Sequence, residues 1–148
     1  MIFLQNLIKQ GENKMANVEK FEIQTTARNQ MIDITKYVEM AVKKSGVKNG
    51  ICIIHIPHTT AGVTINENAD PDVCDDIIFH LNTLIPNLKT FKHFERNSDS
   101  HLKSSIIGCS QTVIIEDGEL LLGRWQGIYF CEFDGERNRK FFVKIIEG

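Results

Sequence analysis

The sequence predicts an α+β domain, predominantly antiparallel β-sheet or sandwich, with two main helices. Three observations carry that prediction. Short apolar runs of strand length recur along the chain, only two stretches keep a sustained helical spacing, and the part beyond Thr112 reads as strands punctuated by Asp-Gly turns. Strands dominate with helices set among them, which is the α+β pattern rather than an alternating one.

Phe21, Ile23 and Thr25 alternate with polar neighbours, the mark of a half-buried strand, and Met31 to Ile34 continues as a second short one. Ile34, Val38, Ala41 and Val42 then follow helical spacing, and Lys43, Lys44 and Gly46 supply a basic last turn and a stop. The continuous apolar run Gly50 to Ile56 reads as a buried strand. It enters a loop, Pro57-His58-Thr59-Thr60-Ala61-Gly62, followed by a further strand at Val63 to Ile65. Asp70-Pro71 opens the second helix, with Asp70 as N-cap and Pro71 in the first helical position. Val73, Ile77, Leu81 and Leu84 give it an apolar face, and Pro86 ends it. Residues 87–98 have no clear period and form a long loop, and Asn97 or Ser98 caps a short helix holding His101, Leu102, Ser105 and Ile106. Thr112 to Ile115 and Leu120 to Leu122 flank Asp117-Gly118, and Gln126 to Phe133 and Lys140 to Ile146 flank Asp134-Gly135; both read as hairpins.

At 148 residues the chain matches one domain, and 42% apolar with 24% charged residues is an ordinary globular balance. A net charge of -2 argues against sequence-independent nucleic-acid binding, which requires a basic surface, while leaving room for a local phosphate pocket. No apolar run is long enough for a bilayer, and the first residues lack a basic signal-peptide start; the expectation is a cytoplasmic protein with no membrane partner. None of the four cysteines forms a C-x-x-C pair, and Cys52 and Cys131 read as small core residues. Residues 1–17 are set apart as an N-terminal extension and 18–148 as the single domain. Gly11-Glu12-Asn13-Lys14 before Met15 is compatible with a translated ribosome-binding site, so that Met15 is the natural start; an extra N-terminal helix or strand is the other reading.

Of five histidines, His55 and His80 lie inside a strand and a helix, whereas His58, His93 and His101 fall on irregular or terminal positions, where a scaffold displays functional groups. Three imidazoles with an open fourth position form a known catalytic zinc arrangement, and nearby carboxylates such as Glu67 and Asp70 suit the second ring nitrogen of a ligand histidine. No helical H-x-x-x-H pair fixes two of them together, so three separate polar histidines remain the plainer alternative. A second cluster, Arg124, Arg137 and Arg139, with Lys103 beside His101, offers planar or point cations for phosphate, or ordinary solvated turns. Trp125, the only tryptophan, is placed either to stack on a flat ligand or to anchor the core. Neither a G-x-S-x-G elbow, a P-loop nor a G-x-G-x-x-G is present.

His58-Thr59-Thr60-Ala61-Gly62, Asn66-Glu67-Asn68-Ala69-Asp70-Pro71, His93, Asp99-Ser100-His101-Leu102-Lys103, Leu122-Gly123-Arg124-Trp125-Gln126-Gly127-Ile128 and Glu132-Phe133-Asp134-Gly135 together resemble the YjbQ family over about residues 18–148. Two positions depart from its usual pattern: Arg124 replaces a threonine before the tryptophan, and Glu136 replaces a proline after Asp134-Gly135. The resemblance implies an α+β fold with a large antiparallel component and assembly as a homotrimer with its site at or near subunit interfaces. It also implies a functional role for His58, His93 and His101, and a secondary thiamine-phosphate synthase activity that joins a pyrimidine-methyl pyrophosphate to a thiazole phosphate.

Two readings of function follow. In the first, a divalent metal, zinc or magnesium, on His58, His93 and His101 assists an enzyme acting on a small phosphorylated metabolite, either as that transferase or as a metal-dependent hydrolase. Lys103, Arg137 and Arg139 then clamp phosphate, Trp125 contacts substrate, and Glu67 or Asp70 orients a histidine or serves as base. In the second, the protein traps a metal or phosphorylated metabolite without turnover.

Overall fold

The computed structural model describes residues 18–148, and the N-terminal extension, with the leader reading of its first residues, lies outside the described residues. The elements in order are β1 (Val18–Gln24), β2 (Gln30–Asp33), α1 (Thr35–Ser45), β3 (Gly50–His55), β4 (Ala61–Glu67), α2 (Pro71–Leu84), α3 (Ser98–Ile107), β5 (Ser110–Glu116), β6 (Glu119–Leu120), β7 (Gln126–Glu132) and β8 (Asn138–Glu147). They form two antiparallel sheets, one ordered β1-β8-β3-β5-β6 and the other β2-β7-β4. The α+β class and the antiparallel dominance expected from the sequence are what the chain adopts.

Side-chain parity on β7 explains the layering. Ile128 and Phe130 enter the main core with Cys52, Ile54, Phe141, Val143 and Ile145 of the facing sheet, closed at one end by Val38, Ala41 and Val42 of α1. Tyr129, Cys131 and Phe133 point the other way, into a smaller core with Met31, Cys74, Leu81 and Ile107. A strand covered on both faces has no solvent side, which accounts for its nearly unbroken apolar run. All four cysteines are free, and Cys52 and Cys131 are buried as expected.

Helix α1 ends on Gly46 at φ 71°, whose N–H bonds Lys43 O, and Asp33 Oδ1 accepts the Thr35 N–H at its start. Asp70 caps α2 by accepting the Asp72 N–H at 3.0 Å, with Pro71 in the first turn. The apolar face expected of α2 is half-buried at Val73, Ile77 and Leu81, while Leu84 stays exposed and no residue of the helix is fully buried. One expectation needs correction. The short helix predicted near His101 is a full ten residues, α3, and the residues it buries are Asp99, Ser100, Lys103 and Ser104, all polar.

The two Asp-Gly segments also part company. Asp117 and Gly118, at φ 51° and 79°, connect β5 to β6 in register Glu116↔Glu119, a two-residue hairpin whose turn needs positive φ at both positions. Asp134-Gly135 makes no hairpin: β7 pairs with β2 and β4, whereas β8 pairs with β1 and β3. The segment instead crosses between sheets and packs on the β1–β2 connection. Gly135 N–H bonds Arg28 O at 3.0 Å, and Thr25 N–H bonds Arg137 O at 3.0 Å. A Cβ at Gly135 would stand 2.1 Å from Ala27 O, so glycine serves close backbone approach here rather than a turn.

Candidate functional site

Where the two sheets meet at the crossing segment, a buried ion pair holds them. Parity along β7 places Glu132 with Ile128 and Phe130, facing the core, and parity along β8 does the same for Arg139 with Phe141 and Val143. Arg139 Nε and Nη2 donate to Glu132 at 2.8 and 2.6 Å, and Nη2 also reaches Thr60 Oγ1 at 2.7 Å. Glu132 further accepts from Thr25 Oγ1 and from the N–H groups of Phe133 and Asp134, all within 3.0 Å. A buried charge pair persists only when its remaining hydrogen-bonding capacity is met, and this carboxylate is saturated.

His58 lies just beyond the end of β3, where β8 has lost its neighbour. Its Nε2 stands 3.0 Å from the Lys140 backbone N and 3.1 Å from the Lys140 carbonyl oxygen, replacing a missing rung of the ladder. One ring nitrogen cannot accept from the first and donate to the second at once, so the choice sets the tautomer. Burial, followed by the charge of Arg139, pushes the imidazole below its usual range despite the backbone bond to Lys140 and the Glu132 carboxylate, so His58 is neutral at neutral pH. It lines a cleft of about 550 Å³ with Glu22, Ile23, Gln24, Asn138, Arg139 and Lys140.

His93 and His101 form a separate pair, their rings edge to face with centroids 5.2 Å apart. His93 comes from the long loop and His101 from the first turns of α3, and that helix is clamped from beneath. Arg28 makes two bonds to Asp99, at 2.8 and 3.0 Å, while Lys103 Nζ lies between Asp99 and Asn82. Burial would raise the Asp99 carboxyl, but the Arg28 hydrogen bonds and charge, reinforced by Lys103, hold it below the usual carboxylate range. Lys103 itself is pushed down by burial, against the pull of Asp99. Ser100 Oγ bonds Phe133 O and Asn97 Nδ2 bonds Asp134 Oδ2, so the clamp joins the crossing segment.

The structure thus brings together two of the three predicted histidines. No group of three His, Cys, Asp or Glu side chains suited to a metal occurs among the described residues of the single chain, where His58 lies apart from the His93–His101 pair. The cause is local: His58 is drawn to the β8 backbone, whereas His93 is held against α3. Glu67 and Asp70 do not serve His58 either. They sit at and beyond the far end of β4, about 20 Å along the strand from its start near His58, and Asp70 is engaged as the α2 cap. Lys103 is 1% exposed and enclosed by its partners, so it belongs to the clamp and not to a phosphate grip. Arg137 is half exposed and bonded to Asp134, and Trp125 is 55% exposed with the Arg124 guanidinium 4.8 Å from its ring. Sequence reasoning passed over Arg28 and did not foresee the roles of Thr25, Thr60, Asp99 and Glu132. The Asp99–Lys103 spacing of four on a helix, and a charge at a core-facing parity of β7, were the available signals.

Two antiparallel sheets, a loop histidine set against a half-buried helix histidine, and a third histidine in a separate cleft define a class of small α+β proteins. The chain belongs to the UPF0047 YjbQ-like family, whose model matches residues 19–148. It is 59% identical over 127 residues to a UPF0047 protein of Methanocaldococcus jannaschii, covering 86% of this chain and 92% of that one. It is 48% identical over 130 residues to the UPF0047 protein YugU of Bacillus subtilis, covering 87% and 98%. Among solved structures, a YjbQ/UPF0047 family protein of Clostridium acetobutylicum superposes with a TM-score of 0.85 at 54% identity, covering 86% of this chain and 98% of that one. A YbjQ-like protein of Sulfolobus solfataricus gives 0.85 at 31% identity, covering 88% and 96%. Among the described residues no helix is long and apolar enough to cross a membrane.

Proposed function

We propose that this protein is a metal-assisted cytoplasmic enzyme acting on small phosphorylated metabolites, with its site completed in a homotrimer. The observation that carries the reading is the His93–His101 pair, displayed on a loop and a helix that the Arg28–Asp99–Lys103 clamp holds rigid. Preorganised imidazoles are what a metal site requires, and a second copy or solvent would supply the ligands that one chain does not. The donor set suits zinc; magnesium, which takes oxygen ligands, fits an imidazole pair poorly. When bound, zinc would polarise a phosphoryl oxygen or neutralise a departing pyrophosphate, the chemistry that thiamine-phosphate formation and phosphoester hydrolysis share. Asp99 positions α3, and with it His101, without touching substrate. Arg137, half exposed on the crossing segment, is a second arginine within reach of a phosphate in solution.

Elemental analysis of tag-free protein tests the reading. Near-stoichiometric zinc, lost together with turnover of phosphorylated substrates in His93→Ala and His101→Ala, is the expected outcome. Unimpaired turnover by metal-free protein would overturn it. Capture without turnover is the second reading, favoured by the cleft of about 550 Å³ at His58, which lies apart from the His93–His101 pair. It predicts ligand-dependent stabilisation with no product.

A further inference from the structure

The cleft around His58 shares no residue with the His93–His101 pair, and its floor is more constrained than a surface groove. The Arg139 guanidinium is fixed edge-on: Nε and Nη2 are taken by Glu132 and Thr60. Glu132 already accepts five hydrogen bonds, so it holds the arginine in place and draws no further donor. Among the described residues, Nη1 is the guanidinium nitrogen without a partner. Asn97 Oδ1 is the buried side-chain polar atom without one among the described residues, so Nη1 retains contact with solvent. Arg139 lines the cleft beside His58, Asn138 and Lys140, and the acidic side chain on its rim, Glu22, is paired with Lys20 at 2.7 Å.

We infer that this cleft is an oxyanion subsite that takes the phosphate group of a small metabolite, with Arg139 Nη1, the His58 ring and the Asn138 amide as its hydrogen-bonding groups and Lys140 as the neighbouring positive charge. Four features favour a tetrahedral oxyanion over an apolar or cationic group. The arginine is pre-oriented, so little side-chain entropy is lost on binding. Glu132 offsets its formal charge, leaving Lys140 as the net positive contribution. The Asn138 amide donates, and so does His58 Nδ1–H in the tautomer whose Nε2 accepts the Lys140 N–H. The volume of about 550 Å³ leaves room for the organic part of a metabolite beyond its phosphate. The assignment deepens the phosphorylated-metabolite reading but needs neither metal nor turnover.

The test uses the full chain in EDTA at constant ionic strength, titrated with inorganic phosphate and, in parallel, with acetate and chloride. Binding is followed by the NMR signals of the Arg139 and His58 side chains and by thermal shift. Saturable phosphate binding that moves those signals is expected, with affinity about tenfold weaker in His58→Gln, the change expected for one hydrogen bond to a charged ligand. Asn138→Leu, at an exposed position, gives a second variant of the same cleft that does not touch the ion pair. Absence of saturable phosphate binding, acetate binding as tight as phosphate, or phosphate binding unchanged in both variants would each overturn the assignment. Because metal is excluded throughout, loss of zinc chemistry at His93–His101 leaves this result unaffected, and the two readings fail separately.

Discussion

Helices α1 and α3 are nearly equal in length and opposite in construction. Helix α1 buries Val38, Ala41 and Val42 and turns Lys43 and Lys44 outward. Helix α3 buries Asp99, Ser100, Lys103 and Ser104 and leaves Leu102 and Ile106 exposed at 43% and 66%. The first is held by removal of apolar surface from water, which is tolerant of side-chain geometry. The second is held by directed bonds, donated by Arg28 to Asp99 and by Lys103, Ser104 and Ser100 to Asn82, Ala61 and Phe133, which fix orientation as well as position. A helix that must present His101 to a loop histidine gains more from orientation, and its polar underside is an expensive device that suits such a role.

Breaking the polar underside should have the largest effect. Asp99→Ala leaves Lys103 charged and buried with Asn82 alone, and is expected to cost about 3–5 kcal/mol in denaturant unfolding. Lys103→Met should cost clearly less, because Arg28 still bonds Asp99 twice. The same clamp sets an acid limit. The folded-state Asp99 carboxyl lies below its ordinary 3.8, so its contribution is complete above that value and lost as the pH falls through the lower, folded one. Stability measured from pH 5 downward should therefore drop in the wild type below about pH 4, with a shallower slope in Asp99→Asn. Equal acid slopes in the two proteins would show that the clamp is not the source.

Much of this contrast was legible in the sequence, and the illegible part has a physical cause. The spacing of Ile34, Val38, Ala41 and Val42 marks an apolar face, and Gly46 marks its end, because α1 obeys the rule that apolar residues go inside. Helix α3 violates that rule, and a reading built on apolar periodicity finds only a short helix there. The two Asp-Gly pairs are identical locally; what separates them is sheet membership, decided by β2 and β4 competing for β7 against β8. For the site, three histidines stand out by their placement in loops and at an element end, but their convergence depends on long-range contacts. The rung that His58 supplies to β8 comes from 82 positions away.

On the apolar side of the comparison, Val38→Ala removes two buried methyl groups at a fully enclosed position and is expected to cost about 2 kcal/mol. The measurement that sharpens the contrast is again the pH profile. An apolar cavity changes no proton binding, so the Val38→Ala curve should lie below the wild type by a constant amount from pH 5 through pH 3. A loss that grew or shrank across that range would mean that α1 is coupled to the ionic clamp.

The smallest effect on the folded chain should come from the exposed face of α3. If the helix is held by its polar underside, Leu102→Ser with Ile106→Ser removes apolar surface that already meets water in the single chain, and unfolding measured at high dilution should move by no more than about 0.5 kcal/mol. Association should respond differently. Leu102 and Ile106, with Phe94 at 93% and Phe79 at 71% exposure, are the apolar side chains that the proposed homotrimer would cover. Under the proposed homotrimer, sedimentation velocity should show the double variant shifted toward monomer while each chain stays folded. Loss of several kcal/mol in the diluted chain would instead mean that α3 packs through its apolar side, and its likeness to α1 would be restored.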